Sequence, residues 1–470
     1  MEKKQLIVIG AGPGGYAAAF LAADIGIVTT LIDSETNPGG VCLYRGCIPS
    51  KALLHVAKVI SESAEAKIFG VEYLNPKIDL KKMNSWKDDV VTKLTSGLGQ
   101  LSKQRKIEYI KGSAKFVDSN SIEVTKENKE KEILNFENAV IASGSVPSKI
   151  PALSIDSPKI LDSTSALNIG DVPKSMLVIG GGYIGLELGT VYATLGTKIT
   201  VVEMLPRLLN GADPDLVSVL SKRLTLLFDA IMLNTKVTGM EEVNDGIKVF
   251  FEDDKSQKSE KIFDKVLISI GRKPNTKNLA LENTRVEIDE KGFIKVDEQL
   301  RTTEKNIFAI GDVAGEPMLA HKASHEGRAA VEVIAGHDVS FRPKAIPSVV
   351  FTDPEIAWCG LTETEAKKNN MDITIAKFPW AASGRAMTIG NTNGLTKLVI
   401  DTETERILGV GIVGPGAGDL ISEGVLAIEM GANAADIKLT IHPHPTLSET
   451  IMESAEVFFG QSTHIYRPKK

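Results

Sequence analysis

With 470 residues, 43% of them hydrophobic and 24% charged, the chain is long enough for several domains and has the composition of an ordinary globular protein. A formal net charge of −6 gives no electrostatic case for nucleic acid, and no apolar run approaches the roughly 18–20 residues of a membrane span. Only 3 cysteines are present and the first strand candidate begins by Gln5, leaving no room for a signal or transit peptide; together these predict a cytoplasmic protein whose disulfide chemistry, if any, is catalytic.

Leu6-Ile7-Val8-Ile9 reads as a short buried strand that stops at Gly10-Ala11-Gly12-Pro13-Gly14-Gly15, followed by the small-residue helix Tyr16–Ala22. In this strand–turn–helix pattern Gly10 makes the turn, Gly12 lets the backbone approach a pyrophosphate and Gly15 lets helix and strand pack closely. Free N–H groups at the helix start complete the phosphate site. A lone Gly-x-Gly-x-x-Gly is weak, but the next strand, Val28–Ile32, ends in Asp33, about 20 residues on, where an acid holds a ribose hydroxyl.

Next comes Gly39-Gly40-Val41-Cys42-Leu43-Tyr44-Arg45-Gly46-Cys47-Ile48-Pro49-Ser50-Lys51. Pro49 suits a helix's first turn, and Ala52-Leu53-Leu54 and Val56-Ala57 continue that helix, so Cys47 sits at its positive end with Lys51 one turn on. Both favour a thiolate, which thiol–disulfide exchange requires, and the pair reads as a redox-active disulfide. Two other readings stand beside it. A structural zinc site needs four ligands, while Cys359 is distant and no Cys-x-x-Cys pair occurs. A purely structural disulfide would be unusual in so cysteine-poor a chain.

The Gly-Gly-x-Cys-x-x-x-Gly-Cys-Ile-Pro-Ser-Lys run resembles that of the flavin-dependent pyridine nucleotide–disulfide oxidoreductases, and most of all the branch that reoxidises protein-bound dihydrolipoamide. The resemblance implies that Cys42 exchanges with substrate and Cys47 faces the flavin. Tyr44 and Arg45 depart from the family, where Asn and a small apolar residue are common; the cysteine spacing is unaffected.

Residues 55–105 read as helical and polar. Ser121–Thr125 and Ile133–Phe136, joined by a charged turn, read as a hairpin, and Val140-Ile141-Ala142-Ser143-Gly144-Ser145 as a further buried strand ending in a small-residue turn. The last segment is similar to the one that leads the chain out of the family's flavin domain, with Ser143 and Gly144 at the cofactor. Pro and Ser in 146–158 suggest a domain boundary.

A second complete unit follows: strand Met176–Ile179, Gly180-Gly181-Gly182-Tyr183-Ile184-Gly185, helix Leu186–Leu195, and strand Lys198–Val202 ending in Glu203. With the cysteine pair after the first unit, the resemblance implies FAD in the first site and a nicotinamide nucleotide in the second, held through Gly180, Gly182 and Gly185. Glu203 would accept from both ribose hydroxyls and repel a 2′-phosphate, which favours NAD over NADP; Arg207 is the one contrary signal. Glu187 matches a residue that pairs, in the family, with the lysine held here by Lys51. Its alternative is a surface helix glutamate.

Val266–Asn275, with Gly271, is similar to the family's return from the NAD domain, and Ile307–Asp312 is a second return strand whose Asp312 would hold the ribityl chain. Met318-Leu319-Ala320-His321 then opens a helix whose N–H groups, at Ala320, would lie near the flavin; His321 is either structural or functional. Strands Lys397–Asp401 and Ile407–Val413 and helix Asp419–Met430 suggest a small α+β domain. It ends in His442-Pro443-His444-Pro445-Thr446-Leu447-Ser448-Glu449, where a carboxylate five residues after His444 could orient an imidazole for acid–base work on a thiol. A His-Pro repeat alone is usually a loop. By resemblance His444 is the base, Glu449 its orienting acid and His442 structural.

The expected fold is α/β: two Rossmann-like dinucleotide-binding domains and a C-terminal α+β dimerisation domain. Residues 1–145 and 271–345 would bind FAD, 146–270 NAD, and 346–470 would form a homodimer interface. The implied activity passes electrons from a dihydrolipoyl group through Cys42–Cys47 and FAD to NAD+. Its partner would be a lipoyl-bearing carrier of a 2-oxoacid dehydrogenase complex or of a glycine cleavage system, with no nucleic acid, membrane or metal. Another disulfide reductase of the family, or a docking subunit, are the alternatives.

Overall fold

A computed structural model describes residues 4–74, 76–153 and 155–466. The first sheet is built around the strand Lys4–Ile9, whose apolar residues are wholly buried. It pairs in parallel with Thr29–Asp33 on one side and Lys131–Ile141 on the other; Glu108–Asp118 and Ile307–Ala309 extend the two edges. The chain therefore reverses its direction of growth beside the first strand, and the crevice at the carboxyl ends there is where such sheets bind ligands. Helices Pro13–Asp24 and Ala320–Ile334 cover one face. They approach closely because both are lined with small residues: a Cβ on Gly327 would meet Gly14 O at 2.5 Å.

The hairpin forms, with Ser121–Lys126 antiparallel to Lys131–Ile141 in the register Ser121↔Asn135. Its return strand does not stop at Phe136. It runs unbroken into the segment read as a separate strand, because past the exposed Glu137 the half-buried Asn138 pairs with Leu6 and Ala139, Val140 and Ile141 enter the core. The helical stretch of 55–105 is instead two helices, Cys47–Glu65 and Leu80–Gln104, with a short 3₁₀ turn at Ala66–Phe69 closed by Gly70 in the left-handed region. Asp79 caps the second helix by accepting from Lys82 N at 3.0 Å.

The second sheet repeats the first in all-parallel form: Ala230–Met232, Lys198–Val202, Ser175–Ile179, Lys265–Ile268 and Ile160–Leu161. An antiparallel three-stranded ribbon, Thr235–Val243, Gly246–Asp253 and Lys258–Phe263, packs on it. The outgoing and returning connections between the two sheets, Ser145–Pro147 and Arg272–Pro274, pair antiparallel. A third, antiparallel sheet of five strands lies between Ser348 and Val413 and is backed by helices Ala417–Met430 and Glu449–Phe458.

Buried charge joins the third sheet to the second unit. Lys397, 1% exposed, places Nζ 2.7 Å from Asp213, 2.8 Å from Asp215 and 3.3 Å from Glu363. Lys377 adds a contact of 2.7 Å to Asp215. Asp213 also accepts from the Glu363 and Thr364 amides, both at 2.9 Å. This group of acids is filled by two ammonium groups.

Candidate active site

The two glycine loops are the same device made twice. Gly10 and Gly180 have φ of +99° and +109°, and a Cβ on either would strike the carbonyl of the neighbouring strand's end, Ala142 O at 2.3 Å and Ser269 O at 2.6 Å. The acid closing the next strand then grips the loop: Asp33 accepts from Ala11 N at 2.6 Å and Glu35 N at 2.9 Å, and Glu203 from Gly181 N at 2.7 Å and Leu205 N at 2.8 Å. A carboxylate has about four acceptor positions, so each acid keeps capacity for a ribose hydroxyl. Gly15 and Gly185 admit no side chain against Gly10 O and Gly180 O. A Cβ on Gly182 would meet nothing within 4 Å, and one on Gly12 only Gly40 Cα at 3.9 Å, so both loops leave open the side where a pyrophosphate would lie. The sites fit the two dinucleotides. Arg207, near the second, is half-exposed and makes no ion pair among the described residues.

The cysteine segment is built onto the first loop. Gly39 N donates to Ala11 O at 2.8 Å, and a Cβ on Gly40 would lie 2.4 Å from Gly12 Cα. Helix Gly40–Arg45 carries Cys42, and Gly46 turns the chain into helix Cys47–Glu65 with Cys47 at its first position. Both cysteines are free thiols. The Cys42 sulfur, with help from Lys51 and against burial, lowers the Cys47 thiol, while the Cys47 sulfur and burial push the Cys42 thiol up.

Lys51 and Glu187 meet across the two units, Nζ to Oε2 at 2.8 Å. Glu187 is 3% exposed; its other oxygen accepts from Phe351 N at 3.0 Å, and Lys51 Nζ stands 4.6 Å from the centre of the Phe351 ring. A surface glutamate is therefore excluded. On the opposite wall Asp312 accepts from Ser145 Oγ at 2.5 Å, and Arg272 in turn donates to Ser145 Oγ at 2.7 Å and Ser145 O at 2.6 Å. Ser143 Oγ donates to Asn275 O at 2.8 Å, and Asn275 N to Gly144 O at 2.8 Å. Gly144 and Gly271 are both left-handed, at +71° and +107°.

These parts enclose one cavity of about 470 Å³, lined by Gly10, Gly12, Asp33, Cys42, Cys47, Lys51, Ser143, Gly144, Glu187, Asp312 and Ala320. Tyr183 closes it on the side of the second loop, its phenol pushed up to about 12 by burial. Tyr183, Arg272 and Asn275 were not singled out in the sequence; only the motif neighbourhoods Gly-Gly-Gly-Tyr and Gly-Arg-Lys-Pro-Asn marked them.

The two C-terminal histidines lie elsewhere. His444 Nδ1 is 2.9 Å from Glu449 Oε1, and Glu449 Oε2 accepts from Thr446 N at 2.8 Å. Burial opposes ionisation of Glu449, but the Thr446 amide and His444 hold its carboxyl below the ordinary range. The His444 side chain is 74% exposed and does not line the cavity of its own chain. His442 is enclosed, between Thr440 O at 2.9 Å and Glu423 Oε1 at 2.8 Å. His321 Nε2 donates to Pro347 O at 2.8 Å, and desolvation lowers its imidazole below the ordinary value.

The pyridine nucleotide-disulphide oxidoreductase profile matches residues 4–327, and the profile of that family's dimerisation domain matches 346–455. A dihydrolipoyl dehydrogenase of Vibrio cholerae is 49% identical over 467 residues, spanning 99% of this chain and 98% of the relative. One from Geobacillus stearothermophilus is 46% identical over 461 residues, 98% and 97% of the two. Among solved structures, the HOCl-induced flavoprotein disulfide reductase RclA from Escherichia coli superposes with a TM-score of 0.85 at 28% identity, covering 95% of this chain and 98% of its own. LpdA from Mycobacterium tuberculosis shares the fold, with a TM-score of 0.89 at 24% identity, over 96% and 99%. A free dithiol between two matched nucleotide loops, a third sheet fitting the dimerisation profile and full-length relatives of one name lead to one conclusion: the chain belongs to the pyridine nucleotide–disulphide oxidoreductases, alongside the dihydrolipoyl dehydrogenases.

Proposed function

We propose that this flavoprotein oxidises the dihydrolipoyl group of a carrier protein, with Cys42 as the sulfur that exchanges with substrate and Cys47 as the thiolate turned to the flavin. The observation that carries this reading is the placement of the dithiol: Cys42 and Cys47 line one cavity with the first glycine loop, Lys51 and Glu187. A carrier thiolate attacks Cys42 of the oxidised pair, the Cys42–Cys47 bond breaks and Cys47 leaves as thiolate. The carrier's second thiol then displaces Cys42, closing the carrier's own disulfide, and the proton it loses goes to a base. Cys42 and Cys47 now hold the electron pair. FAD, bound through Gly10, Gly12, Gly15, Asp33, Lys51, Ser143, Gly144, Asp312 and Ala320, supplies an acceptor for that pair, and NAD+, bound through Gly180, Gly182, Gly185, Glu203 and Gly271, a hydride acceptor beyond it.

Lys51, fixed by buried Glu187, sets a positive charge beside the Cys47 thiolate. His444, oriented by Glu449, is the base, but it stands on the surface of the third sheet's domain. A second copy supplies the missing half: His444 of one chain serves the cysteines of the other. The same domain exposes the apolar side chains Leu426, Met430, Leu439 and Ile441, the last 95% exposed, which suits a dimer face. Residues 1–145 and 271–345 form the FAD-binding part, 146–270 the NAD-binding part and 346–470 the dimerisation domain. The carrier belongs to a 2-oxoacid dehydrogenase complex or a glycine cleavage system, and the site of action is the cytoplasm. No helix among the described residues is long and apolar enough to cross a membrane.

Oxidation of free dihydrolipoamide by NAD+, measured as NADH appearing, tests the reading. Activity in the wild type and none in Cys42→Ser supports it; an unchanged rate in Cys42→Ser would remove Cys42 from the reaction.

A further inference from the structure

Tyr44 and Arg45, the two residues that depart from the family's disulfide run, both point back to the loop that follows Asp33. That loop, residues 34–39, begins on the nucleotide carboxylate, where Glu35 N donates to Asp33 Oδ1 at 2.9 Å. It ends on the glycine loop, where Gly39 N donates to Ala11 O at 2.8 Å. Tyr44 Oη donates to Asn37 O at 3.0 Å and accepts from Asn37 N at 3.3 Å, while the Arg45 guanidinium pairs with the Glu35 carboxylate. From the sheet side, Tyr109 Oη donates to Glu35 O at 2.9 Å. The Asn37 side chain is seated on helix Leu80–Gln104 at Gly99, where a Cβ would meet Asn37 Oδ1 at 2.1 Å.

Arg45 also lines the cavity. Its guanidinium is paired with Glu35, which fixes its position, while Lys51 is the cation that bears on both thiols.

We propose that Tyr44 and Arg45 are positioning residues that strap the six-residue redox loop to Glu35 and Asn37 on the ribose loop, so that the grip on FAD and the geometry of the thiol pair are set together. This rests on the reading of Asp33 and the glycine loop as the FAD site. When the strap is cut, the helix Gly40–Arg45 keeps its glycine end and its buried Leu43 but loses its tie to the ribose loop, and the spacing of Cys42 and Cys47 and the Asp33 loop both slacken.

The test compares holoenzymes of the wild type, Arg45→Met, Glu35→Gln, the double variant, Tyr44→Phe and the exchanged pair Arg45→Glu with Glu35→Arg. FAD release is followed by its fluorescence, and ionisation of the thiol pair by the pH profile of iodoacetamide alkylation after anaerobic reduction by NADH. Arg45→Met and Glu35→Gln should each speed FAD release about 3- to 10-fold, and the double variant should be no faster than either. Tyr44→Phe should act in the same direction, the exchanged pair should return release to within about twofold of wild type, and the alkylation midpoint of Arg45→Met should move above that of the wild type. Additive effects in the double variant, or an alkylation midpoint and a release rate both unchanged in Arg45→Met and Tyr44→Phe, would overturn the strap. A wild type that takes up no FAD would instead sink the underlying cofactor reading, and the strap with it.

Discussion

At the scale of single residues, local steric needs were the most legible feature of this chain. Gly10 and Gly180 could be assigned from spacing alone because a turn against a neighbouring strand tolerates no Cβ, and the distances to Ala142 O and Ser269 O give the reason. Residues whose role lies in a distant contact were not legible: Arg272 reaches Ser145 and Asn275 reaches Ser143 only once the two crossing strands have paired. Two predictions belong here. Glu203, already holding Gly181 and Leu205 amides, sets a fixed negative charge where a 2′-phosphate would sit, so NAD+ should exceed NADP+ in kcat/KM by about 10-fold or more. Equal use of both nucleotides would mean that Arg207 faces the ribose instead. In the reduced enzyme, Cys42, the sulfur open to substrate, should be alkylated by iodoacetamide before Cys47, which the flavin covers. Peptide mapping that finds Cys47 labelled first would reverse the assignment of exchanging and flavin-facing sulfurs.

Elements were legible where apolar runs end at glycine and illegible where sheets share strands. Lys198–Val202 and Ile407–Val413 stand at the residues expected, since each is a closed apolar run. Lys131–Ile141 was divided in the sequence because the polar Glu137 and Asn138 interrupt its apolar run; pairing of Asn138 with Leu6 and of Ala139 with Ile7 carries the strand through. The charged joint between units was invisible, for Lys397, Asp213, Asp215 and Glu363 are far apart in the chain. Lys397→Met should leave three carboxylates against Lys377 and, at the surface, Lys367 on Glu363, and cost about 3 kcal/mol in urea unfolding at pH 7. Burial alone would raise the Asp213 and Asp215 carboxyls, but bonds from Lys397, Thr364 and Lys377 hold both below the ordinary value. Their contribution is therefore complete above about pH 4 and disappears as pH falls through the depressed folded values. The gap between wild type and Lys397→Met should shrink on acidification below that range; a gap that widens there would contradict the joint.

For the whole molecule, the doubled fingerprint with a cysteine pair after the first copy was enough to foresee a two-nucleotide enzyme, because each unit is self-contained in sequence. The relation proposed between His444 and the cysteines was not legible from composition or spacing, because His444 lies on the surface and outside the cavity of its own chain. Reassembling His444→Ala with Cys47→Ser chains tests that relation. Random pairing makes about half the dimers mixed, and each mixed dimer has one intact site, so activity should return to roughly a quarter of wild type. No recovery among dimers shown to have exchanged would place base and thiols on the same chain. The central claim, that electrons pass through the Cys42–Cys47 pair, is tested most directly by anaerobic stopped-flow mixing of dihydrolipoamide with FAD-loaded wild type and Cys47→Ser. The wild type should form NADH when NAD+ is present, while Cys47→Ser keeps its FAD and forms none; NADH at an undiminished rate in Cys47→Ser would contradict the account.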